Sequence, residues 1–522
     1  MIKNTARLAP LRGDGEIASW RYGRSFILFT LELRSRGAPK MPSQFLTLRL
    51  VAALLLLSDA AALSNAATAA TATSTVLMVS DIHFEPFWDP GKAAQLASAP
   101  ASGWQAILAS APSPDREARF SAVDQACHTR GQDTSYPLFA SSLKAMQANA
   151  SQAIFVTLSG DLISHSFNCK FSNVFPNAKA GDYRAFVEKA IEFVVGSLRS
   201  ALPGVPVYAS LGNNDSDCGD YQLDANSTFL DETGKTLTAD VPAGELKQAH
   251  ADFAVGGNFS VALPEPFVRA QLIVLDDLFM SRKYQTCAGK EDSSEATRQI
   301  AWLKAELDHA REAKEKVWVM THIPPGVDAV STALKGKNIC AGAAPTMFLS
   351  SDDLPKALVP YGDVISLVIF AHTHMDELRL LTSGSAEHAD RSVPVKLVPS
   401  ISPIDGNNPS FTIARVDPKT ATLIDYQVIA ASNQTGVDTK WSEEYDYAKA
   451  YSQPSFSATS VAALIGEFRA DAAGKSPASQ AYIRNYFVGD RSSEIAPFWH
   501  FATCGLSNMT AEGFRACACG DH

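Results

Sequence analysis

The sequence has no surplus of positive charge. Its 45 Lys and Arg are outnumbered by 55 Asp and Glu, for a formal charge of −10. That excludes a protein held to nucleic acid by a broad basic face. Glycine and proline, 31 and 28 of 522 residues, are too sparse for a collagen-like or Pro-rich chain. Internal repeats are lacking, which sets aside solenoids and propellers. After residue 66 no apolar run approaches the roughly 18 residues of a membrane-spanning helix. The eight cysteines lack zinc-knuckle spacing and read as disulfides of an oxidising compartment. Their pairing stays open, with Cys504, Cys517 and Cys519 expected to staple the C-terminal tail.

What is present is 46% hydrophobic and far from the composition of a disordered chain. Residues 1–40 carry scattered basic residues without helical order and read as a mis-assigned upstream start or a disordered segment. Met41 opens a better pattern: Arg49, an apolar run Leu50–Leu57, then small residues through Ala66. This is a signal peptide over 41–66, with a linker over 67–74. Residues 1–66 hold nine Lys and Arg against four Asp and Glu, so their removal takes the charge from −10 to −15. The expected location is secreted or periplasmic.

From residue 75 one theme recurs: a short β-branched run that ends in polar residues. Thr75–Ser80 leads into Asp81 and His83, and Ala153–Leu158 into Ser159-Gly160-Asp161. Val205–Leu211 leads into Gly212-Asn213-Asn214-Asp215. Lys316–Met320 leads into His322, and Val364–Phe370 into His372-Thr373-His374. Such runs read as strands buried on both faces. Helical patterns over Tyr183–Leu198 and Ala296–Ala313 alternate with them, which implies a layered α/β fold. Further strands are expected at Val395–Val398, Phe411–Val416 and Ala421–Ala430. From residue 438 the composition turns aromatic and helical.

The strand ends offer carboxylates, imidazoles and an amide oxygen, a donor set for borderline divalent metals. Singly, a histidine at a strand end is more often a hydrogen-bonded rim residue than a ligand. Five such pieces in one order are a different matter. The order resembles the calcineurin-like metallophosphoesterases, whose fold is an αββα two-sheet sandwich. The resemblance implies residues 75–437 as the catalytic domain and 438–522 as a C-terminal helical, disulfide-tied appendage.

It also implies two divalent metal ions, zinc foremost. One would sit on Asp81, His83, Asp161 and His374, the other on Asp161, Asn213, His322 and His372, with Asp161 bridging. A hydroxide between the metals would attack phosphorus in line. Two departures stand out: Ala371 replaces the usual glycine, and Asn214 replaces a histidine that donates a proton or binds phosphate. An amide is no acid. His165, in Gly160-Asp161-Leu162-Ile163-Ser164-His165, is the expected acid, as in the acid sphingomyelinase-like branch that the sequence resembles. Asn213 or Asn214 would hold phosphoryl oxygens, and Asp215 would orient a neighbour.

The expected activity is a sphingomyelinase-like phosphodiesterase acting, as a monomer, on a phospholipid headgroup, a nucleotide or polyphosphate. There would be no nucleic-acid scaffold, and peripheral membrane contact stays open. The Gly-Asn-Asn-Asp variant is similar to fungal endopolyphosphatases, which keeps a nucleotide or polyphosphate hydrolase as the alternative. Ser164, where a purple acid phosphatase has a tyrosine ligand, sets that branch aside. A catalytically dead binding protein predicts decayed ligands, and all seven are intact. Phe84, Phe87, Trp88 and Trp104 are either core packing or a surface for a choline group or base. Arg282, Lys283, Lys335 and Lys337 are the cations available to an anionic substrate.

Overall fold

A computed structural model describes residues 73–382, 391–489 and 495–520. The chain divides into two units, residues 1–70 and 71–522, and the elements below belong to the second. The upstream segment, the signal peptide and all but the end of the linker lie outside the described residues.

Twelve strands run among the described residues: β1 (Ser74–Val79), β2 (Ala153–Ser159), β3 (Val207–Ser210), β4 (Phe259–Ala262), β5 (Ala270–Val274), β6 (Lys316–Met320), β7 (Ile365–Phe370), β8 (Glu377–Thr382), β9 (Ser392–Leu397), β10 (Ser410–Asp417), β11 (Thr422–Ala431) and β12 (Trp441–Asp446). They form two six-stranded sheets, ordered β12-β11-β10-β1-β2-β3 and β4-β5-β6-β7-β9-β8. β1, β2 and β3 are parallel in the first, and β5, β6, β7 and β9 in the second. Val76–Val79 and Val317–Met320 have no exposed surface, as strands covered on both faces require.

The sheets face each other. Phe155 of β2 meets Trp318 of β6 at 5.7 Å between ring centroids, and the Trp318 Nε1–H donates to the Ala421 carbonyl at 2.7 Å. Helices Tyr136–Ala150 and Asp182–Ala201 cover the outside of the first sheet. The second of these, expected at Tyr183–Leu198, buries Phe186, Ala190, Ile191, Val194 and Leu198 on one stripe. Ser294–Ala313 covers the second sheet, so the expected αββα sandwich is the observed one.

The C-terminal segment differs from expectation in two ways. Trp441–Asp446, expected to be helical, is the edge strand of the first sheet. Beyond it, helix Ala458–Ala470 packs on β8 and β9, so the segment completes the outer layer. The cysteines pair as Cys127–Cys169, Cys218–Cys287, Cys340–Cys519 and Cys504–Cys517, the last two tying the tail as expected. Phe84, Phe87 and Trp104 are fully buried in an aromatic cluster with Phe139, Phe186 and Phe193, and Arg116 lies 3.9 Å over Trp88. Phe84, Phe87 and Trp104 are packing residues, whereas Trp88 is half-buried.

Candidate metal centre and its cleft

The parallel strands end on one side of the sandwich, where α/β folds gather ligands. Asp81 and His83 follow β1, Asp161 follows β2, Asn213 follows β3, His322 follows β6, and His372 and His374 follow β7. Asp81, His83, Asp161, His372 and His374 all take positive φ, between 45° and 70°. That region is costly for residues with a Cβ, and such strain persists where the surroundings over-determine it. The chain turns sharply off each strand and aims the side chain back over the strand end.

Beside a cluster of imidazoles alone, His83, His165 and His374, two donor groups with carboxylates result: Asp81, His83, Asp161 and His374, and Asp161, His322 and His372. They share Asp161, whose Oδ2 lies 3.3 Å from His83 Nε2 and 3.2 Å from His322 Nε2. Asn213 Oδ1 is 3.2 Å from His322 Nε2, while its amide N–H donates to Asp220 at 2.7 Å, which turns the oxygen inward. The seven residues expected as ligands are thus brought together at one end of the sandwich.

The donor set fits cations. His83 Nδ1 donates to the Ile163 carbonyl at 3.1 Å, and His374 Nδ1 meets Asp405 Oδ2 at 3.0 Å. Their Nε2 atoms then face each other at 3.1 Å, an arrangement that needs a positive charge between two lone pairs. Asp81 Oδ1 is buried without a hydrogen-bond partner and lies 3.4 Å from His374 Nε2. Orienting the outer nitrogen of a ligating histidine through a carbonyl or carboxylate is the usual second layer of a metal site.

The electrostatics agree. Burial opposes charge on His322 and His83, but Asp161 and Asp81 outweigh it and raise them to about 10 and about 9. Against burial, the same histidines hold Asp161 well below the usual carboxylate range. The metal-free centre therefore keeps protons where metals would bind, and metal loading releases them. The raised histidines contribute stability fully below their ordinary value of 6.5 and lose it as pH rises through 9 to 10. Thermal unfolding of the chelated protein should fall in Tm from about pH 7 to pH 10, while the metal-loaded protein holds its Tm over that range. Parallel curves for the two forms would contradict this.

The family profile for calcineurin-like phosphoesterases matches residues 74–376, more than half of the sequence. The chain belongs to the calcineurin-like phosphoesterases. A Mus musculus acid sphingomyelinase-like phosphodiesterase 3b is 27% identical over 401 residues, covering 73% of this chain and 77% of that protein. A Mus musculus cyclic GMP-AMP phosphodiesterase is 23% identical over 401 residues, covering 74% and 81%. A Dictyostelium discoideum sphingomyelinase phosphodiesterase C is 23% identical over 304 residues, covering 56% of this chain and 61%, less than two thirds, of that protein. The resemblance to the acid sphingomyelinase-like branch holds, as does the expectation of a phosphoric ester hydrolase. The family implies two divalent metal ions.

In this calcineurin-like phosphoesterase the remaining expected residues take distinct places. His165 stacks on His83 at 4.0 Å between centroids and lines a cleft of about 810 Å³ over the centre. Its Nδ1 is 3.0 Å from the buried Asp133 carboxylate, which leaves Nε2 toward the cleft. Asn214 is buried and does not line the cleft. Its side-chain and backbone N–H groups donate to Asp161 Oδ2 and Oδ1 at 2.9 and 2.8 Å, so it orients the shared carboxylate. Asp215 accepts from the backbone N–H of Leu162, Ile163 and Gly212 at 2.8, 3.1 and 2.9 Å. It clamps the Asp161 loop to the Asn213 loop.

Other residues at the site had no signal in the motifs. Asp133, Arg130 and Asp405 come from loops remote in sequence from the motifs, Tyr221 from the loop that follows Asn213, and Tyr482, Tyr486 and Phe487 from the C-terminal segment. That segment is bound to the centre: the Asp376 N–H, just beyond His374, donates to the Tyr486 carbonyl at 2.9 Å. Of the four cations expected near the site, Lys283 alone lines the cleft.

Proposed function

We propose that this chain is an extracytoplasmic, dinuclear-metal phosphodiesterase that hydrolyses phosphoric diesters without a covalent enzyme intermediate. The single observation that carries the reading is the sharing of Asp161 Oδ2 between two donor sets built from six strand-end Asp and His residues, with Asn213 beside the second. Asp81, His83, Asp161 and His374 would hold one ion, and Asp161, Asn213, His322 and His372 the other, zinc being the ion these nitrogen and oxygen donors suit. Bound there, the ions supply charge for the phosphoryl oxygens and a hydroxide nucleophile at neutral pH. The relatives named for sphingomyelin and for cyclic GMP-AMP both cleave diesters by name, which supports a diester substrate here. Four disulfides among the described residues support an oxidising location.

The chain's own residues then do the following. His165 presents Nε2 to the cleft and moves a proton to the departing oxygen. Asp133 fixes its ring and tautomer through Nδ1, as a carboxylate does for a catalytic histidine elsewhere. Asn214 and Asp215 keep Asp161 and its loop in place.

The test is metal content and diester turnover together. The zinc-loaded chain is expected to carry two ions and to cleave bis(p-nitrophenyl) phosphate faster than p-nitrophenyl phosphate. His165→Gln should cost about 100-fold on a diester with an alkyl alcohol leaving group. It should cost far less on a p-nitrophenyl ester, whose leaving group departs without a proton. One ion per chain, or monoester activity alone, would refute the proposal. An equal loss on both leaving groups would remove the acid role from His165.

A further inference from the structure

Both amides expected to hold phosphoryl oxygens direct N–H groups at the chain's own carboxylates. The Asn213 amide donates to Asp220 at 2.7 Å, and the side-chain and backbone N–H groups of Asn214 donate to Asp161. Asn214 also stands in place of a histidine. A phosphoryl oxygen in the cleft therefore needs a donor from elsewhere in the chain.

Two donors stand at the second donor set. Tyr221 Oη lies 3.3 Å from His372 Nε2. Lys283 Nζ lies 3.3 Å from that hydroxyl and 4.3 Å from the centre of the Tyr221 ring. Both side chains line the cleft. His165, by contrast, stacks on His83 of the first set.

The pair is built into the fold. The Tyr221 N–H donates to the Asn213 carbonyl at 2.9 Å, so the residue hangs from the loop of a candidate ligand. Its loop is tied to the Lys283 loop three times over. The Gln285 N–H donates to the Tyr221 carbonyl at 3.0 Å, the Leu223 N–H donates to the Gln285 carbonyl at 3.2 Å, and Cys218 is bonded to Cys287. Tyr221 takes a φ of 57°, a conformation that persists where the surroundings impose it. Donors fixed in advance need no rearrangement when charge develops beside them.

The direction of the hydrogen bonds follows from the groups. An ammonium donates and cannot accept, so Lys283 gives an N–H to the phenol oxygen. The phenol keeps its own O–H to give, and the ammonium beside it makes that O–H a stronger donor. At 3.3 Å the contact with His372 is longer than the roughly 2.5–3.0 Å of a good O–H hydrogen bond, which leaves the hydroxyl available to the cleft.

We infer that Tyr221 is a catalytic residue that donates to a non-bridging phosphoryl oxygen from the side of the second donor set, in place of the histidine that Asn214 replaces, and that Lys283 is the residue that positions and polarises its hydroxyl. The inference rests on the hydrolase reading above. In the step, the hydroxide oxygen bonds to phosphorus and the bond from phosphorus to the leaving oxygen breaks. The electron pair stays on the leaving oxygen, which takes a proton from His165. Tyr221 loses no proton: its O–H meets the negative charge that gathers on the non-bridging oxygen.

The zinc-loaded full chain is assayed on bis(p-nitrophenyl) phosphate and on a diester with an alkyl alcohol leaving group. The variants are Tyr221→Phe, Lys283→Met and the two combined. Tyr221→Phe keeps the ring and its packing. It should lower kcat about 10- to 100-fold, the worth of a hydrogen bond to a charged group, and equally on both substrates. That equality separates it from His165→Gln, whose cost depends on the leaving group. Lys283→Met should cost about 10-fold alone and far less once the hydroxyl is gone. Both single variants should keep two zinc ions. Orthovanadate, a mimic of the transition state, should bind Tyr221→Phe about 10-fold more weakly by calorimetry. Wild-type kcat in Tyr221→Phe, a loss confined to the alkyl ester, or lost zinc would overturn the inference. A Lys283→Met loss undiminished in the Tyr221→Phe background would overturn the role given to Lys283. A wild type that holds two ions and is inactive on both diesters overturns the hydrolase reading itself.

Discussion

Asp161→Asn is expected to lower diester hydrolysis more than about 1,000-fold, beyond the 10- to 100-fold typical of residues that only support a ligand, and to cost the protein bound metal. The reason is that one oxygen does two jobs. Oδ2 lies 3.3 and 3.2 Å from the nitrogens of His83 and His322, and no other carboxylate belongs to both donor sets. An amide nitrogen in its place offers no lone pair to either ion and removes the charge that keeps the two imidazoles protonated in the metal-free protein. The fold itself should survive. The asparagine keeps an oxygen for the Asn214 backbone N–H now bound at 2.8 Å, and Asp215 still holds the loop through three backbone groups. Metal content and turnover on the same preparation decide the matter. A variant with two ions and a tenth of wild-type activity would show that Asp161 does not bridge.

The seven candidate ligands were legible because each stands within four residues of the end of an apolar run. A strand that is buried on both faces has few reasons to stop in aspartate or histidine. The layers were legible in part: five strand runs and two helical patterns were read, but β4 and β5, consecutive antiparallel strands with no helix between them, were not. What supports the ligands was not legible. Asp133 meets His165 across 32 residues, and Asp405 meets His374 only because a loop after β9 folds back beneath it. Nothing in the local sequence of either marks it, since their partners are set by tertiary contact.

The edge strand β12 misled for a local reason. Trp441-Ser442-Glu443-Glu444 is largely exposed, and only Tyr445 and Asp446 are buried, so the alternation of a half-buried strand is absent. The C-terminal helices were read as an appendage because amphipathic helices carry no record of where they dock. In the fold they dock beside the cleft and supply Tyr482 and Tyr486 to its wall. Asn214 is a third kind of case: the sequence marks it as a departure from the family, and only the geometry shows its amide turned toward Asp161.

The other large effect is expected from a residue with no chemistry of its own. At Gly212 a Cβ would lie 2.2 Å from Asp161 Oδ1 and 2.3 Å from the Asp161 backbone nitrogen. The first atom could swing away, but the second is backbone. It belongs to a residue already at φ 54°, and the next two N–H groups along the chain are held by Asp215. Gly212 cannot retreat either, because its own N–H donates to Asp215 Oδ2 at 2.9 Å. Relief must come from breaking that clamp or displacing Asp161, so Gly212→Ala should exceed the 1–3 kcal/mol of ordinary overpacking, costing about 3 kcal/mol or more. Gly196 provides the control. It lies inside helix Asp182–Ala201 with nothing near its missing Cβ, and alanine there should be neutral or stabilise by up to about 1 kcal/mol. Denaturant unfolding of the chelated proteins separates the packing cost from metal linkage, and zinc titration then reads the centre. A Gly212→Ala protein with wild-type stability and two tightly bound ions would mean that the loops after β2 and β3 are not locked together, and that the clamp assigned to Asp215 does not hold the centre in shape.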